Sequence, residues 1–518
     1  MSPRTSTRPA AASLTAAFGL PALLACFSFI TSASATGTLS LSLEKKSVIE
    51  TGELAPLRGV HKRSAGTVNS DVFDVLTVIL DTGSSDLYVD ASGSQACKDT
   101  SSPDTCRGGS FDPSSSSSYK VVSPNGFNTS FGDGSTASGD YATDVVTIGN
   151  AQISGVEFGV GTNVNSTTGF AVSLMGVGYS ANEASTQDYP NMPEILQQAG
   201  AINSRLYSVF LNQLGPATGT ILFGGIDTSM YTGQLHTLNM LPIQIQSTSG
   251  ETISEVFEFV LSVTGVSFSS NGKTTTILSG GDPTGQNTEK SLPVLLDTGS
   301  AAWTVPTSVY ESIAEAFNGA IGQDLTLPCS HQNDNFVLSV EFGGSITIQV
   351  PVKELIVPLY FANNNSAIPD GQGQQLCTIM IVPDVGGQQM QEQGFLTLGD
   401  AILRSMYVVF DLDNGQLSLA QANTNPGTSN VKVVPAGANG VASAVGSSAV
   451  VTAAANTAKN GRVTGTVAGA SSSTATGKGS ASSSKGAASS LQMPVSTGIF
   501  AVLALWVGSA ALGFGLLL

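Results

Sequence analysis

The sequence predicts an all-β protein made of two similar, strand-rich lobes. Three observations support this. A short phrase in which an aspartate follows an apolar run occurs at Asp81 and again at Asp297. Glycine is abundant, at 58 residues, and charged residues are only 11% of the chain, which suits strands and turns better than a helical bundle. The length of 518 residues exceeds one typical domain, so two lobes with appendages are expected.

The repeated phrase has the same make-up in both copies. Residues 78–85 read Val-Ile-Leu-Asp-Thr-Gly-Ser-Ser, and residues 294–301 read Val-Leu-Leu-Asp-Thr-Gly-Ser-Ala. The apolar run predicts a buried strand, and the glycine predicts a tight turn where a Cβ would interfere. Two copies so far apart indicate an internal duplication that brings Asp81 and Asp297 face to face.

Two facing aspartates have a chemical use. A carboxylate at the end of a buried strand costs free energy unless a neighbour compensates for it. Two such groups within hydrogen-bond reach share one proton, because both cannot easily be ionised together. The ionised member can then accept a proton from water, and the protonated member can donate to a substrate carbonyl. Asp81 and Asp297 are therefore the predicted catalytic residues, in a hydrolysis that needs no metal or other cofactor.

The two Asp-Thr-Gly phrases resemble those of the pepsin-like aspartic proteases, and the similarity covers roughly residues 72–420. Within that family the chain is most similar to the fungal, GPI-anchored, yapsin-like branch. The resemblance implies a bilobal fold with the active-site cleft between the lobes. It also implies that the threonines cross-bond beneath the dyad, the serines donate to the carboxylates and the glycines supply backbone donors. These supporting residues are Thr82, Gly83, Ser84, Thr298, Gly299 and Ser300.

A predicted hairpin at residues 131–135 resembles the family's flap, which closes over the substrate. Phe131, Gly132 and Asp133 would lie over the bound peptide. The family usually has tyrosine at the position of Phe131 and tryptophan at the position of Tyr88. Both have changed here, so we expect the packing to persist and the usual hydrogen bond between them to be re-formed or lost.

Other segments match the duplication and the family pattern. Apolar-apolar-glycine strands at residues 174–176 and 396–400 are expected to thread beside the two aspartates. Residues 192–200 and 306–317 are predicted short helices, and residues 207–211, 220–227 and 407–411 are predicted strands.

The cysteines indicate an oxidising compartment. Cys26 lies in the N-terminal apolar segment, and the other four form an even set that allows three pairings. The duplication favours one bridge per lobe, Cys97–Cys106 and Cys329–Cys377. No cysteine or histidine spacing indicates a metal site.

The N-terminal residues are predicted to direct secretion. Residues 1–35 have a basic start, an apolar core and a small-residue cleavage pattern, as in a signal peptide. Residues 36–63 would be the pro-segment of a zymogen, ending in the dibasic pair Lys62-Arg63, which resembles a kexin-type processing site. The stretch before Asp81 is short, since the family's first strand and its Gly-Thr-Pro turn are missing there.

The remaining domain boundaries are predicted from the amino-acid composition. The two catalytic lobes are expected at residues 64–235 and 236–424. Residues 425–486 form a predicted disordered stalk rich in Ser, Ala, Gly and Thr. Residues 487–518 resemble a GPI-attachment signal, with Gly486 as the predicted site; a tail-anchored membrane helix is the alternative. Sequons at Asn128, Asn165 and Asn364 permit N-glycosylation.

The net charge of the protein limits the functions that it can have. The formal net charge is −17, and residues 64–430 contain 34 acids against 8 bases. Such an acidic body argues against a nucleic-acid partner and suits an acidic environment. The expected function is therefore that of a monomeric, extracellular endopeptidase, attached to the membrane or cell wall by a lipid anchor and acting on peptides or proteins. The alternatives are a catalytically impaired surface-binding or wall protein and a proteinaceous inhibitor, both on the same scaffold.

Overall fold

A computed structural model describes one N-terminal segment and most of the protein body. The described residues are 37–43, 76, 78–98, 106, 108–132, 134–149, 151–166, 171, 173–185, 187–214, 219–246, 252–270, 272–281, 290–360 and 366–446. The predicted signal peptide, the Lys62-Arg63 pair, Asp133, Asn364 and Gly486 lie outside them. Within the described residues the structure consists mainly of strands, which confirms the predicted all-β class.

The strands up to residue 270 are β1 Leu39–Leu43, β2 Val78–Asp81, β3 Leu87–Asp90, β4 Lys120–Ser130, β5 Thr136–Ile148, β6 Ala151–Asn165, β7 Ser173–Gly176, β8 Leu206–Phe210, β9 Gly219–Phe223, β10 Gly225–Asp227, β11 Tyr231–Asn239, β12 Ile243–Gln246, β13 Thr252–Glu255 and β14 Val260–Ser270. The later strands are β15 Lys273–Leu278, β16 Leu292–Leu296, β17 Trp303–Pro306, β18 Thr326–Pro328, β19 Phe336–Phe342, β20 Ile346–Pro351, β21 Ile356–Pro358, β22 Leu376–Ile379, β23 Ile381–Asp384, β24 Leu396–Leu398, β25 Met406–Asp411, β26 Gln416–Ala422 and β27 Val431–Val433.

The helices are short and lie between the strands. They are α1 Gln95–Lys98, α2 Met192–Gln198, α3 Thr307–Glu315, α4 Val352–Leu355, α5 Gln388–Gln393, α6 Asp400–Leu403 and α7 Gly440–Val445, with 3₁₀ turns at Pro113–Ser115, Ser180–Asn182, Cys329–Asn333 and Val385–Gly387. Helices α2 and α3 confirm the two predicted helices. No helix among the described residues is both long and apolar enough to span a membrane.

Each half of the chain builds one sheet around its aspartate. In the first half the strand order is β2-β7-β3-β6-β5-β4, and in the second it is β20-β19-β14-β16-β24-β17-β23 with β15 on β14. The strand leading to each aspartate pairs in parallel with an apolar strand from later in the same half, β2 with β7 and β16 with β24. This repeated arrangement confirms the predicted threading of residues 174–176 and 396–400 beside the aspartates.

A third sheet joins the two halves. Its strand order is β1-β9-β8-β25-β26-β11, so the two strands from after residue 250, β25 and β26, lie between strands from before it in one hydrogen-bonded layer. Aromatic side chains fix this junction: the rings of Tyr207 and Phe410 stack with centroids 4.9 Å apart, and Phe259 packs edge-on against Phe410 at 4.8 Å. All three side chains are essentially inaccessible to solvent. The two halves therefore share one sheet, with a buried aromatic cluster at their junction.

The edge strand of this third sheet comes from the predicted pro-segment. All five residues of β1 pair antiparallel with β9. Its Leu-Ser-Leu-Ser-Leu sequence alternates as a half-buried strand should, with Leu39 and Leu43 in the core and the serines exposed. The edge of β9 is thus covered, although the chain lacks the family's usual strand shortly before Asp81.

The two disulfide bonds follow the one-bridge-per-lobe pattern. Cys97 is bonded to Cys106, and Cys329 to Cys377. The second bond ties a 3₁₀ turn to strand β22, where Cys377 is fully buried.

The first residues of the predicted stalk are folded, so the predicted boundary at residue 425 is wrong. Residues 425–446 were expected to lack structure, but β27 pairs with β10 and α7 follows it. Val434 and Val441 are buried in a small apolar cluster with Leu206, Tyr407 and Val409. These two valines anchor the segment to the protein core, so the folded body extends to about residue 446.

Candidate active site

Two threonines hold the repeated loops against each other. The backbone N–H of Thr82 donates to Oγ1 of Thr298 at 3.1 Å, and the N–H of Thr298 donates to Oγ1 of Thr82 at 3.0 Å. Each hydroxyl then donates to a backbone carbonyl of the opposite strand, Thr82 to Leu296 and Thr298 to Leu80, both at 2.8 Å. Both threonines are essentially inaccessible to solvent. The two loops are therefore locked to each other by four buried hydrogen bonds.

Asp81 lies at the end of β2 and is held by its own loop. Its Oδ1 accepts from the backbone N–H of Gly83 at 2.8 Å, and its Oδ2 accepts from the hydroxyl of Ser84 at 2.5 Å. The side chain is only 6% exposed. Beside it, the N–H of Val177 donates to the Asp81 carbonyl at 3.0 Å, which fixes the backbone.

Asp297 repeats this arrangement in the second loop. Its Oδ1 accepts from the N–H of Gly299 at 2.7 Å, and its Oδ2 accepts from the hydroxyl of Ser300 at 2.8 Å. Its own N–H donates to the carbonyl of Leu398 in β24 at 3.1 Å. The two aspartates therefore have matching sets of donors.

The two carboxyl groups meet between the loops, where the side chain of Asp297 is hydrogen-bonded to that of Asp81. The matching shape of the two loops depends on glycine here. A Cβ on Gly83 would lie 2.7 Å from Cγ of Asp297, and a Cβ on Gly299 would lie 2.8 Å from Cγ of Asp81. Any other residue at either position would push the opposite carboxyl group away.

The electrostatics favour one shared proton. Burial raises the pKa of Asp297 well above its usual range, and the negative charge of Asp81 and the hydrogen bond between the two groups raise it further. The donors Ser300 and Gly299 act in the opposite direction, since they stabilise the ionised form. A pair that carries one proton and one negative charge can act as base and acid in the same step.

The comparisons with known proteins agree with this geometry. The sequence profile of the eukaryotic aspartyl protease family matches residues 71–422. The chain belongs to the eukaryotic aspartyl protease family. Its class is that of an aspartic-type endopeptidase, and its fold is the bilobal pepsin-like one.

Named relatives are fungal proteases. A probable aspartic-type endopeptidase, OPSB, of Arthroderma otae is 36% identical over 76% of this chain and 78% of its own length. Aspartic proteinase yapsin-3 of Saccharomyces cerevisiae is 29% identical over 76% of this chain and 75% of its own. Secreted aspartic protease 9 of Candida albicans is 30% identical over 65% of this chain and 56% of its own.

The hairpin predicted as the flap of this aspartyl protease connects β4 and β5. Its turn is closed by two backbone hydrogen bonds, from Phe131 N–H to the Ser135 carbonyl and from Gly134 N–H to the Phe131 carbonyl, both 2.9 Å. Gly132 lies in the turn. The ring of Phe131 packs on Tyr88 with centroids 6.0 Å apart, so the predicted aromatic contact is retained despite both replacements.

Sequence reasoning missed a third carboxyl group near the dyad, that of Glu258. It is 8% exposed, and the charges of Asp297 and Asp81 both act on it. The signal in the sequence was a single acid within the apolar run of residues 256–261. Only the folded arrangement brings this acid within electrostatic reach of the catalytic pair.

The other predicted site residues are spread over the surface or lie outside the described residues. Asn128 on β4 and Asn165 at the end of β6 are exposed, as a glycosylation site requires. No group of three or more His, Cys, Asp or Glu side chains suited to a metal ion occurs in the described part of the chain.

Proposed function

We propose that this protein is a secreted, surface-anchored aspartic endopeptidase that hydrolyses peptide bonds at acidic pH, with Asp81 and Asp297 as its catalytic dyad. The observation that carries the proposal is the hydrogen bond between the two carboxyl groups, each also held by a glycine N–H and a serine hydroxyl. It supplies a base and an acid on either side of one reacting water molecule.

The chemistry follows from a dyad with one proton. The ionised carboxylate takes a proton from water, whose oxygen attacks the carbonyl carbon of the scissile bond, while the protonated carboxyl donates its proton to the carbonyl oxygen. The resulting diol collapses when one of its hydroxyls gives its proton to the ionised carboxylate, the amide nitrogen receives a proton from the other carboxyl group and the C–N bond breaks, which leaves the dyad with one proton again. Which aspartate carries the proton at the start is a property of the pair. Four hydrogen bonds from the loops keep the negative charge in place without movement during the reaction.

The flap completes the site. Closure of the hairpin at residues 131–135 would exclude bulk water and press the substrate backbone toward the dyad. Phe131 contributes an apolar cover that already rests on Tyr88. The extended peptide would lie between this hairpin and the loops of Asp81 and Asp297.

The proposed location rests on the sequence and on the relatives. The signal-like residues 1–35 and the C-terminal segment 487–518 with Gly486 support export and lipid anchoring to the membrane or cell wall. The names yapsin-3 and secreted aspartic protease 9 belong to relatives that match 76% and 65% of this chain. We propose that the protein acts as a monomer on peptide or protein substrates.

Replacement of either catalytic aspartate tests the proposal. Asp81→Asn and Asp297→Asn should each abolish cleavage of a peptide library across pH 3–7, because neither variant can hold one proton between two carboxyl groups. The circular dichroism spectrum should stay unchanged. Asp334→Asn is a matched control, since Asp334 is partly exposed and pairs with His331 in a local turn.

Two results would overturn the proposed function. Full activity in both dyad variants would exclude the mechanism. A wild-type protein that binds peptides but shows no pepstatin-sensitive cleavage at any pH would favour the alternative, a catalytically impaired surface protein. The observation that supports this alternative is the replacement of the usual flap tyrosine by Phe131.

A further inference from the structure

Strand β1 completes the sheet that joins the two halves of the protein. Its residues pair antiparallel with β9 in one continuous register, from Leu39 opposite Phe223 to Leu43 opposite Gly219. The other edge of β9 pairs with β8. Without β1, the N–H and C=O groups along the outer edge of β9 would lose their strand partner. The edge of β9 is therefore a site for an added strand, and residues 39–43 fill it.

The three leucines of β1 lie on the same face of the strand, because they alternate with serines. Leu39 and Leu43 are buried in the main apolar core, and Leu41 packs against that core. The serines are exposed. The same core contains Leu80 and Leu296, the residues before the two aspartates of the dyad. The leucines of the predicted pro-segment are thus part of the core of the protein body.

Two glycines let other segments approach β1 closely. A Cβ on Gly149, in the turn between β5 and β6, would lie 2.9 Å from Cδ1 of Leu39 and 3.2 Å from Cδ2 of Leu41. A Cβ on Gly225, at the start of β10, would lie 2.7 Å from Cγ2 of Thr38. The site for β1 is therefore shaped by the first lobe and by β10 as well as by β9.

Phe223 connects β1 with the support of the first catalytic loop. It lies opposite Leu39 on one side and opposite Tyr207 on the other, and its ring centroid is 5.6 Å from that of Tyr207. The hydroxyl of Tyr207 donates to the carbonyl of Val177 at 3.0 Å, and the N–H of Val177 donates to the carbonyl of Asp81 at 3.0 Å. Only β9 separates β1 from the strand that supports the backbone of Asp81.

The chain after the predicted cut at Lys62-Arg63 offers no replacement for β1. Residues 64–71, Ser-Ala-Gly-Thr-Val-Asn-Ser-Asp, contain Val68 as their one large apolar residue. A strand that fills the same site needs large apolar side chains at three alternate positions. Farther along, Leu76 already packs against the apolar cluster formed by β3, β5 and β6. The new N-terminus therefore cannot supply the three leucines that it would have to displace.

We propose that β1 remains bound to the edge of β9 after the chain is cut at Lys62-Arg63, so that the mature protein consists of two non-covalently associated chains. Main-chain hydrogen bonds hold the added strand, and its leucines supply the apolar contacts. Residues 36–63 contain no cysteine, so no disulfide bond can join the two chains. The inference rests on this predicted cut and not on the chemistry of Asp81 and Asp297.

Gel filtration with mass spectrometry follows the N-terminal peptide after cleavage. The full protein is cut in vitro with a protease specific for Lys-Arg, and Lys62→Ala/Arg63→Ala is the uncut control. Under native conditions the peptide ending at Arg63 should elute in the same fraction as the body. In denaturant it should elute separately, because no covalent bond holds it.

A matched pair of variants tests the role of the leucines. Leu43→Asp places a charge at a buried position of β1, and Ser42→Asp places the same charge at the neighbouring exposed position. After the cut, the first variant should release the peptide and the second should retain it.

A milder pair covers the case in which Leu43→Asp does not fold. The bound peptide is allowed to exchange with a labelled synthetic copy of residues 37–45. Exchange should be faster by about tenfold or more in Leu43→Ala than in Ser42→Ala, because truncation of a buried leucine removes apolar contacts that an exposed serine does not make.

Three results would overturn the inference. The wild-type peptide could elute apart from the body under native conditions, or exchange could be equally fast in Leu43→Ala and Ser42→Ala. Resistance of Lys62-Arg63 to the protease would also overturn it, since the protein would then remain one chain. Asp81→Asn, which tests the proposed function, should retain the peptide as the wild type does, so failure of the proposed function is a separate result.

Discussion

Thr82 and Thr298 form a symmetric set of hydrogen bonds between the two catalytic loops. Each accepts from the other's backbone N–H and donates to the carbonyl before the other's aspartate. The carbonyls belong to Leu296 and Leu80, so each hydroxyl fixes the strand end that carries the opposite carboxyl group. The distance between the two acids is therefore set by groups that take no part in the reaction.

Removal of one of these hydroxyls should weaken both stability and catalysis. Thr82→Val keeps the shape but leaves the N–H of Thr298 and the carbonyl of Leu296 buried without partners. We expect a loss of about 1–3 kcal/mol in unfolding free energy for each unpaired group. Urea denaturation and kcat/KM for a peptide substrate measure the two effects. Thr82→Ser retains the hydroxyl and is the control; a Val variant as stable as the Ser variant would contradict the argument.

The two disulfide bonds should differ in what they contribute. Cys329–Cys377 closes a loop with a sequence separation of 48, and Cys97–Cys106 one of 9. In the chain-entropy account, removal of the first should cost about 4 kcal/mol and removal of the second about 2.6 kcal/mol. Double Cys→Ser variants of each pair, compared by urea denaturation at pH 5, measure this difference. Equal losses would show that native packing, and not loop length, dominates.

The buried ion pair of Arg404 and Glu354 gives a third prediction. Arg404 Nε donates to Glu354 Oε2 at 3.0 Å, and the same oxygen accepts from the N–H of Leu214 at 2.8 Å. The two side chains are 7% and 2% exposed. Arg404→Leu should therefore cost about 3–5 kcal/mol, because it leaves a buried carboxylate without its counter-charge.

A surface pair provides the control for that prediction. Arg205 is 32% exposed and pairs with Glu194 and Asp413. Arg205→Leu should cost no more than about 1 kcal/mol, since exposed pairs contribute little. Thermal unfolding of both variants measures the difference, and a loss at Arg404 as small as that at Arg205 would rule out the proposed cost of the unpaired acid.

The central part of the site could be predicted from the sequence because it is encoded locally. Each Asp-Thr-Gly phrase specifies its own strand, its tight turn and the two donors to its carboxylate, so the loops of Asp81 and Asp297 require no knowledge of the rest of the chain. The family pattern supplied the pairing of the two loops. The aromatic contact of Tyr88 and Phe131 was predictable for the same reason.

The parts that sequence reasoning missed depend on packing between distant segments. The side chains of Glu258 and Asn182 are hydrogen-bonded at 2.8 Å although they lie in different halves, and neither residue has a local pattern that indicates the other. The Leu-Ser-Leu-Ser-Leu segment at residues 39–43 alternates like a strand, but its place beside β9 depends on an edge formed 180 residues later. Val434 and Val441, at the end of the body, could not be recognised as core residues because the average composition of the tail around them indicates disorder.

The pH dependence of stability gives a fourth prediction, which depends on Asp90. This residue ends β3 and is fully buried, and neither oxygen of its carboxyl group has a hydrogen-bond partner among the described residues. Burial raises the pKa of Asp90 from 3.8 to about 7. The folded protein therefore holds a proton that the unfolded chain releases near pH 4.

The sign follows from this difference. Because the pKa of this acid is raised in the folded state, its contribution to stability is fully present below about pH 4 and is lost as the pH rises through about 7. The full loss is on the order of 4 kcal/mol. Glu183, whose pKa is raised to about 9, also lowers the stability as the pH rises, and it does so over a wider pH range. The protein should be most stable in acid, where a dyad with one proton also works.

Urea denaturation at pH 4, 5, 6 and 7 measures this effect. The wild type should lose unfolding free energy steadily over the series. Asp90→Asn, which cannot ionise, should start lower, because its buried amide is also unpaired, and should fall less steeply with pH. Glu311→Gln is a control at an exposed position on α3 and should leave the wild-type slope unchanged. Parallel slopes for Asp90→Asn and the wild type would mean that Asp90 is not protonated in the folded protein, and its burial would then need a partner that compensates its charge.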